Sequence, residues 1–142
     1  MNEAILRKTL LLEMHRIVDE AAEQTVEGLG SDFDASSIVY PPKPVLDDAE
    51  VSAIRALPLS RETRTALRAI VANACSSAFF QLLCLVDGVG DPEVQEIEEW
   101  YGARLMPVEP DDDSEDAEMM WHDELFESYW EYEKVKQSGA GS

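Results

Sequence analysis

The C-terminal third of the chain combines dense negative charge with large aromatic side chains. Between Asp91 and Glu133 there are seventeen carboxylates and one basic residue, Arg104. Carboxylates in this number attract a basic surface over a distance, and tryptophan and tyrosine are frequent anchors of protein interfaces. The same stretch holds Trp100, Tyr101, Trp121, Phe126, Tyr129, Trp130 and Tyr132. This pattern predicts a surface for binding a basic protein.

The charge is concentrated in one part of the chain. The net charge is −19, yet the first 86 residues contain twelve acidic and eight basic residues, whereas the remainder contains eighteen and three. Such a chain is repelled by nucleic acid and by anionic lipid, so we expect no direct binding to either. The predicted partner-binding residues are Asp111, Asp112, Asp113, Glu115, Asp116, Trp121, Glu124, Glu127, Tyr129, Trp130 and Glu131.

Metal and catalytic chemistry have weaker support. His15 with Asp19, and His122 with Glu118, each place an imidazole one helical turn from a carboxylate, but neither pair has the further ligands that zinc requires. The acidic run from 111 resembles a calcium loop, yet Asp116 occupies the glycine position and His122 the glutamate position. We therefore predict no metal site, no cofactor and no enzymatic activity. An enzyme that acquires a metal on buried carboxylates remains the less favoured alternative.

Three arginines, Arg61, Arg64 and Arg68, share one face of a predicted helix. Pairing with Asp or Glu from another segment of the protein is the favoured interpretation, because cations in the first turns oppose the helix dipole, and phosphate binding is disfavoured by the net charge. The run Pro41-Pro42-Lys43-Pro44 favours extended polyproline geometry, as a stiff loop or as a ligand for an aromatic groove.

Hydrophobic periodicity and capping signals define the N-terminal elements. Leu10, Met14, Ile17, Ala21 and Thr25 recur at helical spacing, which predicts a helix from Glu3 to about Glu27. The sequence 47–50 resembles a capping box and predicts a short helix ending before Pro58. Ser60 is the predicted N-cap of a third helix, which is apolar over most of its circumference and is therefore expected to be the buried centre of the fold.

The C-terminal elements are predicted from the same signals. We expect a helix from Pro92 to about Tyr101, a flexible acidic loop over 109–117, a helix from about Glu118 to Lys136 and a disordered tail over 137–142. The sequence leaves open whether residues 100–108 pair as a strand with residues 38–40.

Together these elements predict a mainly α, single-domain fold over residues 1–136. It is a bundle of about four to five helices around a central buried helix at 60–87, with the possible strand pair as a variation. Cys75 and Cys84 lie too far apart along a helix to form a disulfide. The N-terminus lacks the pattern of a secretion signal. The longest apolar run is too short to span a bilayer. These features favour a cytoplasmic protein.

In its small size, acidity and lack of a catalytic motif, the chain resembles bacterial toxin-immunity proteins over the stretch from about Trp100 to Tyr132. The resemblance implies that it inhibits a basic cognate toxin by occluding the toxin's functional surface. The alternatives are a nucleic-acid mimic that inhibits a DNA-binding protein, and an adaptor or chaperone for a secreted effector. A homodimer is left open, because an unsatisfied aromatic helix face can be buried between two copies.

Overall fold

The computed structural model describes residues 3–94, 99–103, 130, 131, 133, 134, 137 and 138. Its helices are α1 (Glu3–Glu27), α2 (Asp48–Arg55) and α3 (Arg61–Val86), with a short 3₁₀ turn at Ala35–Ser37. All six described residues between 130 and 138 are helical, and no strand is assigned in the described part of the chain. The mainly α class is confirmed.

Helices α2 and α3 begin where their side chains cap the first turn. The Asp47 carboxylate accepts hydrogen bonds from the backbone N–H groups of Ala49 and Glu50, and Glu50 Oε2 accepts from the Asp47 N–H at 2.8 Å. This is the predicted capping box. Ser60 Oγ accepts from Thr63 N at 3.1 Å at the start of α3. Both predicted helix starts are therefore confirmed.

Helix α3 ends in a Schellman motif. The Gly88 N–H donates to Leu85 O at 3.1 Å, and the Val89 N–H donates to Cys84 O at 3.0 Å. Gly88 has a φ of 69°, a left-handed conformation that glycine adopts without a steric penalty. A Cβ at this position would also lie 2.7 Å from the carbonyl oxygen of Tyr101. The glycine thus both ends α3 and lets the later segment approach it.

Helices α1 and α3 pack against each other in antiparallel orientation. Near the start of α3, Arg64 and Arg68 contact Val26 and Glu23 at the end of α1. The start of α1 and the end of α3 line a common groove, through residues such as Leu6 and Leu83. The long loop between α1 and α3, which contains α2, returns the chain to the same end of the helix pair.

The buried core of the described residues is small and lies along the C-terminal half of α1. It consists of Val18, Ala22 and Val26, with Phe33 from the loop that follows. The stripe on α1 is rotated from the predicted one, because Val18 and Val26 are buried whereas Ile17 is 43% exposed. Adjacent apolar residues on both flanks of the stripe left this rotation undetermined.

The prediction that α3 is a central buried helix is wrong for the described structure. No residue of α3 is buried, because α1 covers only one side of it. The predicted helix over 92–101 is also not found in its described residues: 92–94 and 99–101 have no helical conformation. Residues 99–103 instead lie against the end of α3, through hydrogen bonds from Trp100 and Ala103. The possible strand partners 38–40 and 100–103 are not strands, and 104–108 lie outside the described residues.

Candidate protein-binding surface

Most of the predicted binding residues lie outside the described part of the chain. These are Asp111, Asp112, Asp113, Glu115, Asp116, Trp121, Glu124, Glu127 and Tyr129. The acidic loop predicted over 109–117 lies outside it as well. Trp130 and Glu131 are described, and both are helical and exposed, with 47% of the Trp130 surface accessible. Gln137 and Ser138, which the sequence placed in a tail, are helical as well.

A long-range ion pair joins these C-terminal helical residues to the proline-rich loop. Lys43 Nζ lies 3.2 Å from Glu133 Oε2, and the two residues are separated by 90 positions in the sequence. The Glu133 side chain is only 21% exposed, so the contact is partly sheltered from solvent. An ion pair of this kind contributes orientation more than stability. It places Trp130 and Glu131 near the loop around Pro41–Pro44.

The proline-rich loop lines a cavity of about 470 Å³ that is open at the surface. Its lining is largely apolar and includes Ile38, Val39, Pro41, Pro42, Val45 and Leu46. The extended polyproline geometry predicted for this run is not found at 40–43, where the chain bends: the Tyr40–Pro41 peptide is cis, and the Lys43 N–H donates to the Pro41 carbonyl at 2.7 Å. Extended polyproline geometry has no such internal hydrogen bond. The sequence signal for the loop was its composition, but that signal carried no information about the cavity.

Residues 99–103 follow the end of α3, and the two aromatic residues of this segment have opposite roles. Trp100 Nε1 donates to the Leu85 carbonyl at 2.8 Å, and the Ala103 N–H donates to the Val86 carbonyl at 2.8 Å. The bond from Ala103 satisfies a carbonyl that the helix end leaves without an intrahelical partner, and the bond from Trp100 adds a second donor to a carbonyl that already accepts from the Gly88 N–H. Trp100 is therefore a structural anchor, whereas Tyr101 is 82% exposed.

The exposed Tyr101 hydroxyl donates a hydrogen bond to the Glu99 carboxylate. This bond, with a smaller contribution from desolvation, raises the pKa of the Tyr101 phenol above its usual value. A negatively charged acceptor favours the protonated phenol. Tyr101 thus presents an aromatic ring next to a carboxylate at the surface, the combination predicted for the binding region.

Apart from the half-buried Glu133, the described carboxylates are exposed to solvent. Within the described residues no charged or polar side chain is classed as buried. Hydrogen bonds from the Ser36 hydroxyl and backbone lower the pKa of Asp34, and the Glu62 N–H and the Ser60 hydroxyl lower the pKa of Glu62. Their negative charge is therefore directed outward and persists at mildly acidic pH, as a steering surface requires.

The predicted arginine face is used within the protein. Arg68 Nη2 forms an ion pair with Glu23 at 2.9 Å, and Arg64 Nη1 donates to the Val26 carbonyl at 3.0 Å. The predicted pairing with a carboxylate is thereby confirmed for Arg68, whereas Arg64 bonds a backbone carbonyl instead. The Arg64 partner is a carbonyl at the end of α1, where a cation also interacts favourably with the helix dipole. The sequence showed the shared face but not this partner.

A second groove, of about 620 Å³, lies between the start of α1 and the end of α3. Its apolar walls include Leu6, Leu10, Met14, Leu83 and Val86. Arg7 and Asp87 also line it. Its volume is within the range of small-molecule sites, although it is open at the surface. The described residues, taken together, include no group of three or more His, Cys, Asp or Glu that is placed to hold a metal ion.

Helix α3 has about the predicted length, but it is more apolar as a whole than its longest uninterrupted apolar run suggested. One 18-residue window within Arg61–Val86 has a mean hydropathy of 1.9, and none of it is buried. By length and composition this helix is able to cross a membrane, which corrects the prediction that the apolar run is too short. The difference arises because isolated Asn, Ser and Gln residues interrupt the run without adding charge. Cys75 and Cys84 on this helix are free thiols and only half-buried.

Comparison with protein-family models, with curated proteins and with solved structures found no match for this chain.

Proposed function

We propose that this chain binds and neutralises a basic partner protein, as an immunity protein inhibits its cognate bacterial toxin. The observation that carries the proposal is the exposure of Trp130 and Glu131 in the region with eighteen acidic and three basic residues. An aromatic anchor surrounded by carboxylates supplies both contact area and long-range attraction. The outward orientation of the described carboxylates supports the same function.

The architecture in this proposal is a helical scaffold that carries one acidic face. The Lys43–Glu133 ion pair supports it, because it ties the aromatic helical residues to the rest of the protein. Four to five helices, a helix over 118–136 and a cytoplasmic location stay predictions. The partner-binding roles of Asp111, Asp112 and Asp113 are proposed on charge alone.

The first experiment is capture of partners from native lysate by the tagged full chain, at low and at moderate salt. We expect one basic protein to be retained in stoichiometric amount and its activity to be lost when this chain is added. Retention of many DNA-binding proteins that dissociate as salt rises supports a nucleic-acid mimic instead. Retention of no protein at either salt contradicts the proposal.

Charge reversal then locates the surface. Asp111, Asp112 and Asp113 are changed together to lysine, and the dissociation constant for the captured partner is expected to rise about tenfold or more, mainly through slower association. The control variant reverses Asp19, Glu27 and Asp32, which are exposed on α1 and in the loop after it. Both variants change the net charge equally. Equal losses in affinity indicate nonspecific attraction, and unchanged affinity in the first variant excludes this surface.

A further inference from the structure

From Ala66 to Phe80, the side of α3 that points away from α1 has no charged residue and is exposed in the described part of the structure. No Asp, Glu, Lys or Arg occurs in the eighteen residues from Ala69 to Val86. The residues that face α1, such as Val71, Cys75 and Phe79, are half-buried. On the opposite side Ile70 is 63% exposed and Phe80 is 67% exposed. In a chain in which 29% of residues are charged, this is an unusually apolar exposed face.

The outermost residues of this face form a regular stripe, which we call the outer stripe. Its spacing alternates between four and three, the pattern by which one helix packs along another. All of its members are exposed: Ala66, Ile70, Asn73, Ser77 and Phe80. The two large apolar side chains stand toward the ends, and the two small polar ones stand between them.

The large and the small side chains of the outer stripe are arranged symmetrically about position 75 of the sequence. Residues 70 and 80 are equally distant from that position, and so are residues 73 and 77. A two-fold axis there, with two α3 helices antiparallel, places Ile70 opposite Phe80 of the second copy and Asn73 opposite Ser77 of the second copy. In an interface with two-fold symmetry each contact occurs twice. Asn and Ser are able to hydrogen-bond across it.

We infer that the outer stripe of α3 is a self-association surface through which two copies of this chain pack in antiparallel orientation. The area is sufficient for a weak dimer. Residues 64–86 overlap over about 33 Å, and half the circumference of a helix is about 16 Å, so each copy covers about 500 Å². A total of about 1,000 Å² is near the lower limit for a specific interface, and we expect a dissociation constant in the micromolar range.

Charge repulsion disfavours self-association through the acidic surfaces of the protein and favours the uncharged face of α3. Two chains of charge −19 repel each other wherever their carboxylates meet, and the outer stripe is a surface without ionisable acids or bases. Dimerisation should therefore strengthen as salt rises. Binding of a basic partner should weaken under the same change. The two proposals have opposite salt dependence, so the failure of one is distinguishable from the failure of the other.

A lipid bilayer fits this face less well than a second copy. Helix α1 lies alongside α3 and carries Glu13, Arg16 and Glu20, whose side chains are 51%, 52% and 55% exposed. Sinking α3 into hydrocarbon would bring these charged groups towards the membrane, which is costly. The overall negative charge also repels an anionic surface. A protein surface of matching shape has neither cost.

The test is sedimentation equilibrium of the full chain over a range of concentrations and salt. We expect reversible association to twice the 15.9 kDa mass of one chain, favoured by salt. Ile70→Lys and Phe80→Glu should each weaken association at least about tenfold, with helical circular dichroism unchanged. The control is Ala78→Glu, which adds a charge at an exposed position off the outer stripe and should preserve the dimer.

Mixing the two stripe variants tests the orientation. In the antiparallel arrangement Lys introduced at 70 faces Glu introduced at 80 of the other copy, so the I70K and F80E chains should form a heterodimer. A monomeric wild-type chain at high concentration overturns the inference. Loss of helicity in both variants also overturns it, because the stripe is then packed within one chain. Flotation of the wild-type monomer with phosphatidylcholine vesicles identifies a membrane as the occupant instead.

Discussion

Replacing Arg64 by methionine tests how the two long helices are held together. The Arg64 guanidinium donates to the Val26 carbonyl at 3.0 Å, and Val26 is the most deeply buried large side chain of the described core. Methionine keeps most of the length and apolar surface of arginine. The substitution therefore removes the charge and the donor with little change in packing.

The expected loss follows from two contributions. A hydrogen bond from a charged donor stabilises by about 1.5–3 kcal/mol, and the lower end applies because Arg64 is only half-buried. The carbonyl also keeps its hydrogen bond from Leu29 N at 3.3 Å, so it is not left without a partner. A cation at a helix C-terminus adds about 0.3–1 kcal/mol. We expect Arg64→Met to lower the free energy of unfolding by about 1–2 kcal/mol.

The assay is urea unfolding followed by circular dichroism, with Arg61→Met as the matched control. Arg61 is exposed in the first turn of α3, where a cation opposes the helix dipole. Its removal should leave stability unchanged or raise it by about 0.3 kcal/mol. Equal losses in the two variants would show that net charge, and not the Val26 contact, governs the effect. A change in the urea dependence would indicate an altered unfolded state.

Three further predictions concern local contacts. Trp100→Phe removes the N–H donor to the Leu85 carbonyl and should lower the free energy of unfolding by about 1 kcal/mol, measured by urea titration. An unchanged free energy of unfolding would mean that this hydrogen bond does not hold residues 99–103 against α3. The hydrogen bond from Tyr101 to Glu99 stabilises the folded protein only while the phenol is protonated. Because folding raises the pKa of this phenol, the stabilisation is complete below the pKa of an unfolded tyrosine and is lost as the pH rises through the pKa of the folded protein. Glu99→Gln should lower the Tyr101 pKa in an absorbance titration, with a Tyr101→Phe chain identifying the signal, and an unchanged curve would contradict the assignment. Asp47→Ala removes the N-cap of α2 and should cost about 1 kcal/mol by the same unfolding assay, whereas Asp47→Asn should retain most of it.

The charge count and the aromatic residues predict a binding surface in the C-terminal region. Trp130 and Glu131 are exposed there, and their role in binding stays a prediction. Trp100 shows the limit of such reasoning, because it belongs to the same aromatic series yet is bound to the end of α3. Tryptophan that anchors a helix end and tryptophan in a binding surface have the same sequence signal. The hydrogen bond to the Leu85 carbonyl, which assigns the structural role to Trp100, is visible only in the tertiary structure.

The sequence by itself determined where α2 and α3 begin and where α3 ends. The capping box at Asp47, the N-cap Ser60 and the glycine Gly88 act through groups only a few residues away, so local chemistry suffices to place them. The tertiary structure alone decided which surfaces these helices bury. The apolar residues around the whole circumference of α3 show that burying this helix is favourable. They do not specify how many other helices pack against it, because the hydrophobic effect is non-directional. In the described residues α1 covers one side of α3, and the uncharged opposite side is left exposed.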